Sequence, residues 1–464
     1  MLDPDLVKRT LQLALGRGGG FAEIFVEDVR STSASLDDGR IEDLVSGRDR
    51  GAGIRVVCGA TSGFAHTADL SAAGLAETAR VAAAAAAGTR GGGTAVVELG
   101  AQPSCHAAPV RIDPATVPKA AKVALLRQAE SGARGHHKAI SQVAVRYGDV
   151  RRRVLIANSE GVFVQDDLTK TSFSVSAVAK GDAGLQTGRH SIGRVVGFEL
   201  FEDNDVEELG RQAARRAVAK LDARPAPSGS LVVVIAGGSG GVLFHEACGH
   251  GLEADLVNKG ASVFAGRKGE QVASPLVTLI DDATLVGEWG YFGFDDEGQP
   301  GQRNMLIEAG VLTDYMYDHL RARDDKRSHT GNGRRQSYRH LPMVRMTNTY
   351  INGGHDDPAD IIAGTERGVY VAQLGGGQVN TASGDFVFGM TEAYLIEDGQ
   401  ITDALRDANL IGNGPAALAA IDAVGSDFSM GYPGTCGKDG QGVPVGMGTP
   451  TLRVPALTVG GTAA

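Results

Sequence analysis

What the chain lacks narrows the field first. Its 464 residues hold four cysteines, Cys58, Cys105, Cys248 and Cys436, too few and too scattered for a disulfide framework. A basic excess is missing as well. The formal net charge is −10, whereas a phosphate-binding face normally needs surplus Lys and Arg, so nucleic acid is not expected as the main partner. No run approaches the roughly 20 apolar residues of a membrane span, and no membrane contact is expected. The first residues, MLDPDLVKRTLQLALGRGGG, lack the basic leader and apolar stretch of a signal peptide. The expected setting is a reducing cytoplasm, where any of the four thiols is free to be a ligand.

Apolar residues are plentiful enough for a folded globular protein, and the length implies two or three domains. Glycine is abundant, at 66 residues, which points to many turns and close backbone approaches. The first segment reads as a helix, with Asp3 as cap, Pro4 in the first turn, Val7, Leu11 and Ala14 on one stripe, and Gly16 as stop. Period-two segments follow in AEIFVEDVRSTSASLDDGRIEDL, where DDG marks a hairpin turn. An Ala-rich helix then runs into a glycine stretch. A further helix is expected near 117–131, and paired strands flank NSEG, with Phe173, Val175 and Ala177 on one face. DNDVEELGRQAARRAVAKLDA is amphipathic, with Val206, Leu209, Ala213 and Ala217 as its stripe and charges that suit the helix dipole. RPAPSGS, residues 224–230, marks the best boundary. Beyond it come the β-branched run LVVVIA, a glycine turn, and hairpins in NMLIEAGVLTDYMYD and FVFGMTEAYLIEDGQITDAL. The expected fold class is α+β in two domains: an α+β N-terminal domain over 1–224 and a β-rich C-terminal domain over 231–464 that carries one early helix.

That helix holds the chemistry. FHEACGHGLEAD, residues 244–255, places His245 beside Glu246 and returns to His250. The familiar zinc helix spaces its histidines four apart, so that they face one way. Residues on a regular helix turn about 100° each, which leaves an i,i+5 pair about 140° apart, too wide for one tetrahedral ion. Gly249 and Gly251 allow a local bulge, and a π-type turn would return both imidazoles to one side. Glu246 is then a candidate general base. Glu253 is a candidate third ligand or a partner that orients an imidazole. Cys248 reads as a small buried thiol. Cys436, in GTCGKDGQGVPVG, is a distant candidate ligand or a packed core residue.

Other groups compete. GGSGG, residues 237–241, fits the layout of a serine-hydrolase elbow with Ser239 as nucleophile, although a plain glycine turn suits the hairpin-rich context better. Arg334 and Arg335 sit in a basic stretch that reads as a solvated loop, or as a grip on a peptide carboxylate or backbone. His319, His329 and His340 have no ligand-like spacing.

Seven blocks in order, HEACGHGLEAD, FGFDDEGQP, LIEAGVLTDYM, GNGRRQSYRHLPMVRMTNTY, GGGQVN, LIGNG and GTCGKDGQGVPVGMGTPTLRV…LTVGGTA, resemble those of the TldD/PmbA (TldD/TldE) metallopeptidase family. The match is close through nearly all of the second half and loose through the first. The resemblance implies a zinc-dependent peptidase, with Zn2+ held by His245, His250 and Cys436 and with Glu246 as the base that takes a proton from the attacking water. It implies extended or unfolded peptides as substrates, in leader-peptide trimming or small-protein degradation, held by β-strand addition in an enclosed channel. The N-terminal domain would then enclose substrate and meet a partner, and Asn348, in RMTNTY, would fall on a strand lining the path. The family pairs its catalytic subunit with a metal-free TldE/PmbA-type sister that lacks HExxxH. This chain has the motif whole, which implies the catalytic side of a hetero-oligomer. Cys248 and Asn380 depart from the family pattern, where an aliphatic or small residue and an Asp are usual. A serine hydrolase or amidase using Ser239, or a non-catalytic peptide-binding subunit, are the alternatives.

Overall fold

The computed structural model describes residues 1–86, 95–102, 109–182 and 184–461; Cys105 and the glycine run at 91–93 lie outside them. Helix α1 (Pro4–Leu15) begins where Asp3 accepts from the N–H groups of Asp5 and Leu6, and it buries Val7, Leu11 and Ala14. The first sheet follows, built from β1 (Phe21–Asp37), β2 (Arg40–Cys58), β3 (Thr61–Thr67), a short β4 (Gly100–Gln102), β5 (Ile140–Asn158), β6 (Val162–Gly181) and β7 (Gly184–Arg194). Its order is β3-β2-β1-β5-β6-β4, with β7 also on β6. The β1–β2 turn puts Asp38 and Gly39 both at positive φ, the conformation a tight two-residue hairpin turn requires.

Period-two alternation decides what each face of this sheet meets. Ala22, Ile24 and Val26 of β1 pack under α1 and α2 (Ala72–Ala86). Farther along the sheet, Ala34, Leu36, Val143, Val145 and Phe173 pack under α3 (Lys119–His136) and α4 (Val206–Ala219). The alternate positions of β1 turn the other way. Phe25 packs with Val154, Ile156, Phe294 and Tyr338, so this second face is closed by residues from beyond position 290.

The rest of the chain is β-rich. One sheet runs in the order 367–379, 229–235, 452–461, 408–413, 385–397, 400–406, 224–225. Its first strand also pairs with 385–397, which closes five strands into a ring. A second sheet runs 311–312, 303–308, 279–282, 348–351, 441–449, 429–430, with 434–438 on 441–449. The molecule is thus α+β in two domains, as expected, but the single early helix needs correcting. Four further short helices, Ala254–Asn258, His319–Asp324, Pro358–Ala363 and Gly414–Ala420, punctuate the second domain. Each is two turns or fewer, too short for a helical period to register in the sequence. Among the described residues, no helix is long and apolar enough to cross a membrane.

Candidate metal centre

The strand Gly229–Ile235 leads through a glycine turn into one continuous helical stretch. Gly241–Phe244 is α-helical, His245–Gly249 is a π turn, and His250–Leu252 is a 3-10 turn. The π turn absorbs the extra residue and sets the two imidazole rings 5.2 Å apart, edge to face. Packing decides why glycine flanks them. A Cβ on Gly241 would lie 2.6 Å from the Gly448 backbone nitrogen, and one on Gly249 would lie 2.2 Å from the Met346 sulfur.

Cys436 arrives from the far end of the chain, on the strand Gly434–Lys438, whose hairpin partner is Gln441–Thr449. Its Sγ lies 3.4 Å from Nε2 of His250. One donor atom from each of His245, His250 and Cys436 falls within 4.8 Å of the others, and all three residues are buried. Burial alone would raise the Cys436 thiol, but the neighbouring imidazoles of His245 and His250 bring it down to about 4. Neither ring nitrogen of His245 has a hydrogen-bond partner. Leaving such buried groups unsatisfied costs on the order of 1–3 kcal/mol each. A thiolate facing two buried imidazoles is a donor set that could hold a metal ion.

Glu253 orients this set. Its Oε2 stands 3.0 Å from Nδ1 of His250 and accepts from Lys438 Nζ at 2.8 Å. Lys438 is itself fixed on Asp255, at 2.8 Å, and on the Val344 carbonyl, at 3.1 Å. Burial opposes ionisation of Glu253, but the charges of His250 and Lys438 outweigh it and hold the carboxyl at about 2. With Nδ1–H directed at a carboxylate, Nε2 of His250 is the nitrogen turned toward Cys436, and it is the one that would become a ligand on giving up its proton. Glu246 takes the open side: its side chain is 30% exposed and its Oε2 is 3.8 Å from His250 Nε2. Cys248 faces away into the core, where burial pushes its thiol up.

The other candidates have different occupations. Arg334 and Arg335 are buried rather than solvated. Arg335 reaches Glu23 of the first sheet and donates to the Asp296 carbonyl at 2.9 Å, while Arg334 donates to the carbonyls of Met346 and Pro444. Their burial was hidden because the groups that bury them are remote in sequence. Asn348 does not line an open path. It is fully buried, donating to the Asp282 carbonyl at 2.8 Å and accepting from Gly290 N–H at 2.9 Å. Ser239 accepts from Leu374 N–H at 2.9 Å; among the described residues no imidazole hydrogen-bonds to it. His319 stacks on Phe21, and His340 pairs with Ser337. Asn380 accepts from Ala382 N–H in a turn. Lys438 is the functional neighbour that sequence reasoning missed, although it stands two residues after Cys436.

The geometry agrees with comparisons to known proteins, which bear out the resemblance carried by the seven blocks. The family models of the PmbA/TldA metallopeptidase match as its C-terminal domain over residues 228–461, its central domain over 112–221 and its domain 1 over 22–86. The chain is 38% identical over 458 residues to the "Metalloprotease TldD homolog" of Haemophilus influenzae, covering 95% of this chain and 93% of that one. It is 29% identical over 327 residues to the "Zinc metalloprotease TldD homolog" of Saccharolobus solfataricus, covering 70% and 72%. A crystal structure from Thermotoga maritima shares the fold with a TM-score of 0.83 at 22% identity, covering 98% of this chain and 99% of that one. TldE from Thermococcus kodakarensis does so with a TM-score of 0.81 at 20% identity, covering 98% and 100%.

Proposed function

The chain belongs to the TldD/PmbA metallopeptidase family, and from that premise we propose that it is a zinc-dependent peptidase acting on extended or unfolded peptides. The observation that carries this reading is His245, buried with both ring nitrogens unpartnered beside the Cys436 thiol and His250 Nε2. His245, His250 and Cys436 would hold Zn2+, which suits two nitrogens and one thiolate with a fourth position open. Bound there, Zn2+ supplies Lewis-acid polarisation of a carbonyl and makes water a competent nucleophile near neutral pH.

The chain's own residues do the rest. Glu246, on the open side of the cluster, takes the proton of the attacking water and returns it to the leaving amine. Glu253 and Lys438 keep His250 in the tautomer that presents Nε2. The stretch 224–230 divides a first domain that encloses substrate from the second domain that cuts it. A TldE/PmbA-type sister subunit is the partner this reading calls for, in the cytoplasm, with leader trimming or small-protein degradation as the task.

The test is metal analysis of the purified chain, with peptide cleavage measured before and after chelation and again on re-addition of Zn2+. One zinc per chain and loss of cleavage on chelation are expected. Cleavage that survives complete metal removal and disappears in Ser239→Ala would replace this reading with a serine hydrolase. Peptide binding without turnover, with a sister subunit present, would leave a non-catalytic subunit.

A further inference from the structure

Between the first sheet and the second domain lies a cavity of about 520 Å³. Trp289, Tyr291, Phe292 and Phe294 give it an aromatic wall. The acids around it are already paired. Glu27 and Asp296 share Arg152, at 2.6 and 2.8 Å. Asp49 pairs with Arg339, and Asp295 accepts backbone N–H groups from Glu297, Gln299 and Gly333.

Two basic groups on the same wall have no direct ion pair among the described residues, and the charge of Asp296 only partly offsets their burial. Lys170 donates to the Trp289 carbonyl at 2.6 Å, and its ammonium stands 5.3 Å from the Trp289 ring. Arg334, 5% exposed, donates to the carbonyls of Met346 and Pro444 and lies over Phe292. Burial, together with the charges of Arg334 and Arg152, holds the Lys170 ammonium well below its usual range. Two cations that repel each other in a partly desolvated aromatic pocket are stabilised by an arriving anion.

The cavity also adjoins the metal centre. Gly442, Val443 and Pro444 line it, and in their hairpin Val443 stands directly opposite Cys436 and Pro444 opposite Thr435. Cross-strand neighbours of this kind are about 5 Å apart. From the other side, Arg334 holds the carbonyl of Met346, whose side chain packs on Gly249 between the two histidines.

We propose that this cavity takes a carboxylate of the peptide, held by Lys170 and Arg334 close to the bond cut at the metal centre. The assignment rests on the peptidase reading and deepens it to a substrate class: peptides with a free C-terminus, or with an Asp or Glu side chain, near the scissile bond.

Trp289 is the only tryptophan in the chain, so its emission reports occupancy of this cavity without any need for turnover. Four matched peptides are titrated into the zinc-loaded Glu246→Gln chain: a free C-terminal acid, its amide, an internal Glu peptide, and its Gln counterpart. One acid is expected to bind about ten- to a hundredfold tighter than its neutral partner, and which pair differs tells the terminal carboxylate from the side chain. Lys170→Met should close that gap and Lys170→Arg should keep it, each with a thermal melt to show a folded chain. Acid and neutral peptides within about twofold of one another, no saturable change in Trp289 emission, or a gap that persists in Lys170→Met would overturn the proposal. Turnover of the same peptides by the unsubstituted chain scores the peptidase reading separately. Cleavage without acid preference removes this pocket alone; acid preference without cleavage of any peptide removes the peptidase and leaves the pocket.

Discussion

At His245 the structure leaves two buried ring nitrogens without a partner, and at Cys436 it holds a thiol down to about 4. Removing the thiol should therefore remove the ion: Cys436→Ser is expected to purify without stoichiometric zinc, while Cys248→Ala retains it. Metal analysis of the two variants decides, and the reverse result would mean that the other thiol is the ligand. Glu253 is engaged by His250 and Lys438, a placement that would orient the imidazole rather than ligate the ion. Glu253→Gln should keep the fold but weaken zinc affinity by about ten- to a hundredfold, read by competition with a chromophoric chelator; undiminished affinity would reduce Glu253 to a packing role. The cluster was legible in the sequence only where it is local. His245, Glu246 and His250 declare themselves by spacing, and Glu253 follows within one turn. Cys436 was only a distant candidate, ligand or packed core residue, until the family resemblance singled it out, because nothing at position 436 points to residue 250. The Lys438–Glu253 pair, 185 residues apart, had no local signal at all.

At the scale of elements, the π turn depends on what presses against it. Gly414 begins the helix Gly414–Ala420, and a Cβ there would lie 2.3 Å from the Ala247 carbonyl oxygen, inside the π turn. Within a helix, alanine is ordinarily better than glycine by roughly 0.5–1 kcal/mol. Gly414→Ala is expected to do the opposite, lowering the melting temperature and the zinc content together, because a backbone carbonyl cannot move without moving the turn. Gly249→Ala meets only the side chain of Met346, which can swing aside at a cost of about 1–3 kcal/mol. Calorimetry with metal analysis should rank Gly414→Ala as the more damaging; a Gly414→Ala chain as stable as the parent would show that the contact is easily relieved. Elements with a long, regular period were read correctly, as in α1 and α4, where buried stripes repeat over three or more turns. The strands came out longer than the hairpins suggested, up to 20 residues in β6, since pairing carries them past the turn signals that bound a local pattern.

Across the whole molecule, the two domains meet through buried charge. Glu23 of β1 receives Arg55, at 2.7 Å, and Arg335; Arg55 also reaches Glu297, at 2.7 Å. In a single sheet Glu23 and Glu27 would read as the solvent face, and the second domain turns that face inward. The partners are 242 and 312 residues apart, so alternation reveals a face but not what covers it. Beside this network sits Asp318, which caps the helix His319–Asp324 by accepting from Arg321 N–H. Burial first, and then the charge of Glu297, push its carboxyl from 3.8 up to about 7. Between those two values the folded chain holds a proton that the unfolded chain has released, so this group's contribution to stability is full below about 4 and falls as pH rises to 7. Glu23 is depressed and acts in the other direction, its stabilisation being lost only as pH falls below 4.5. His190, pushed down to about 4 mainly by burial, opposes Asp318 up to its ordinary 6.5, but it is common to both chains in a comparison. Asp318→Asn keeps a capping oxygen and removes the titration. Its melting temperature should match the parent's near pH 5 and exceed it by a few degrees near pH 8, with ionic strength held constant. Parallel curves over that range would mean that Asp318 is already ionised in the folded chain, with Arg55 rather than a proton balancing its charge.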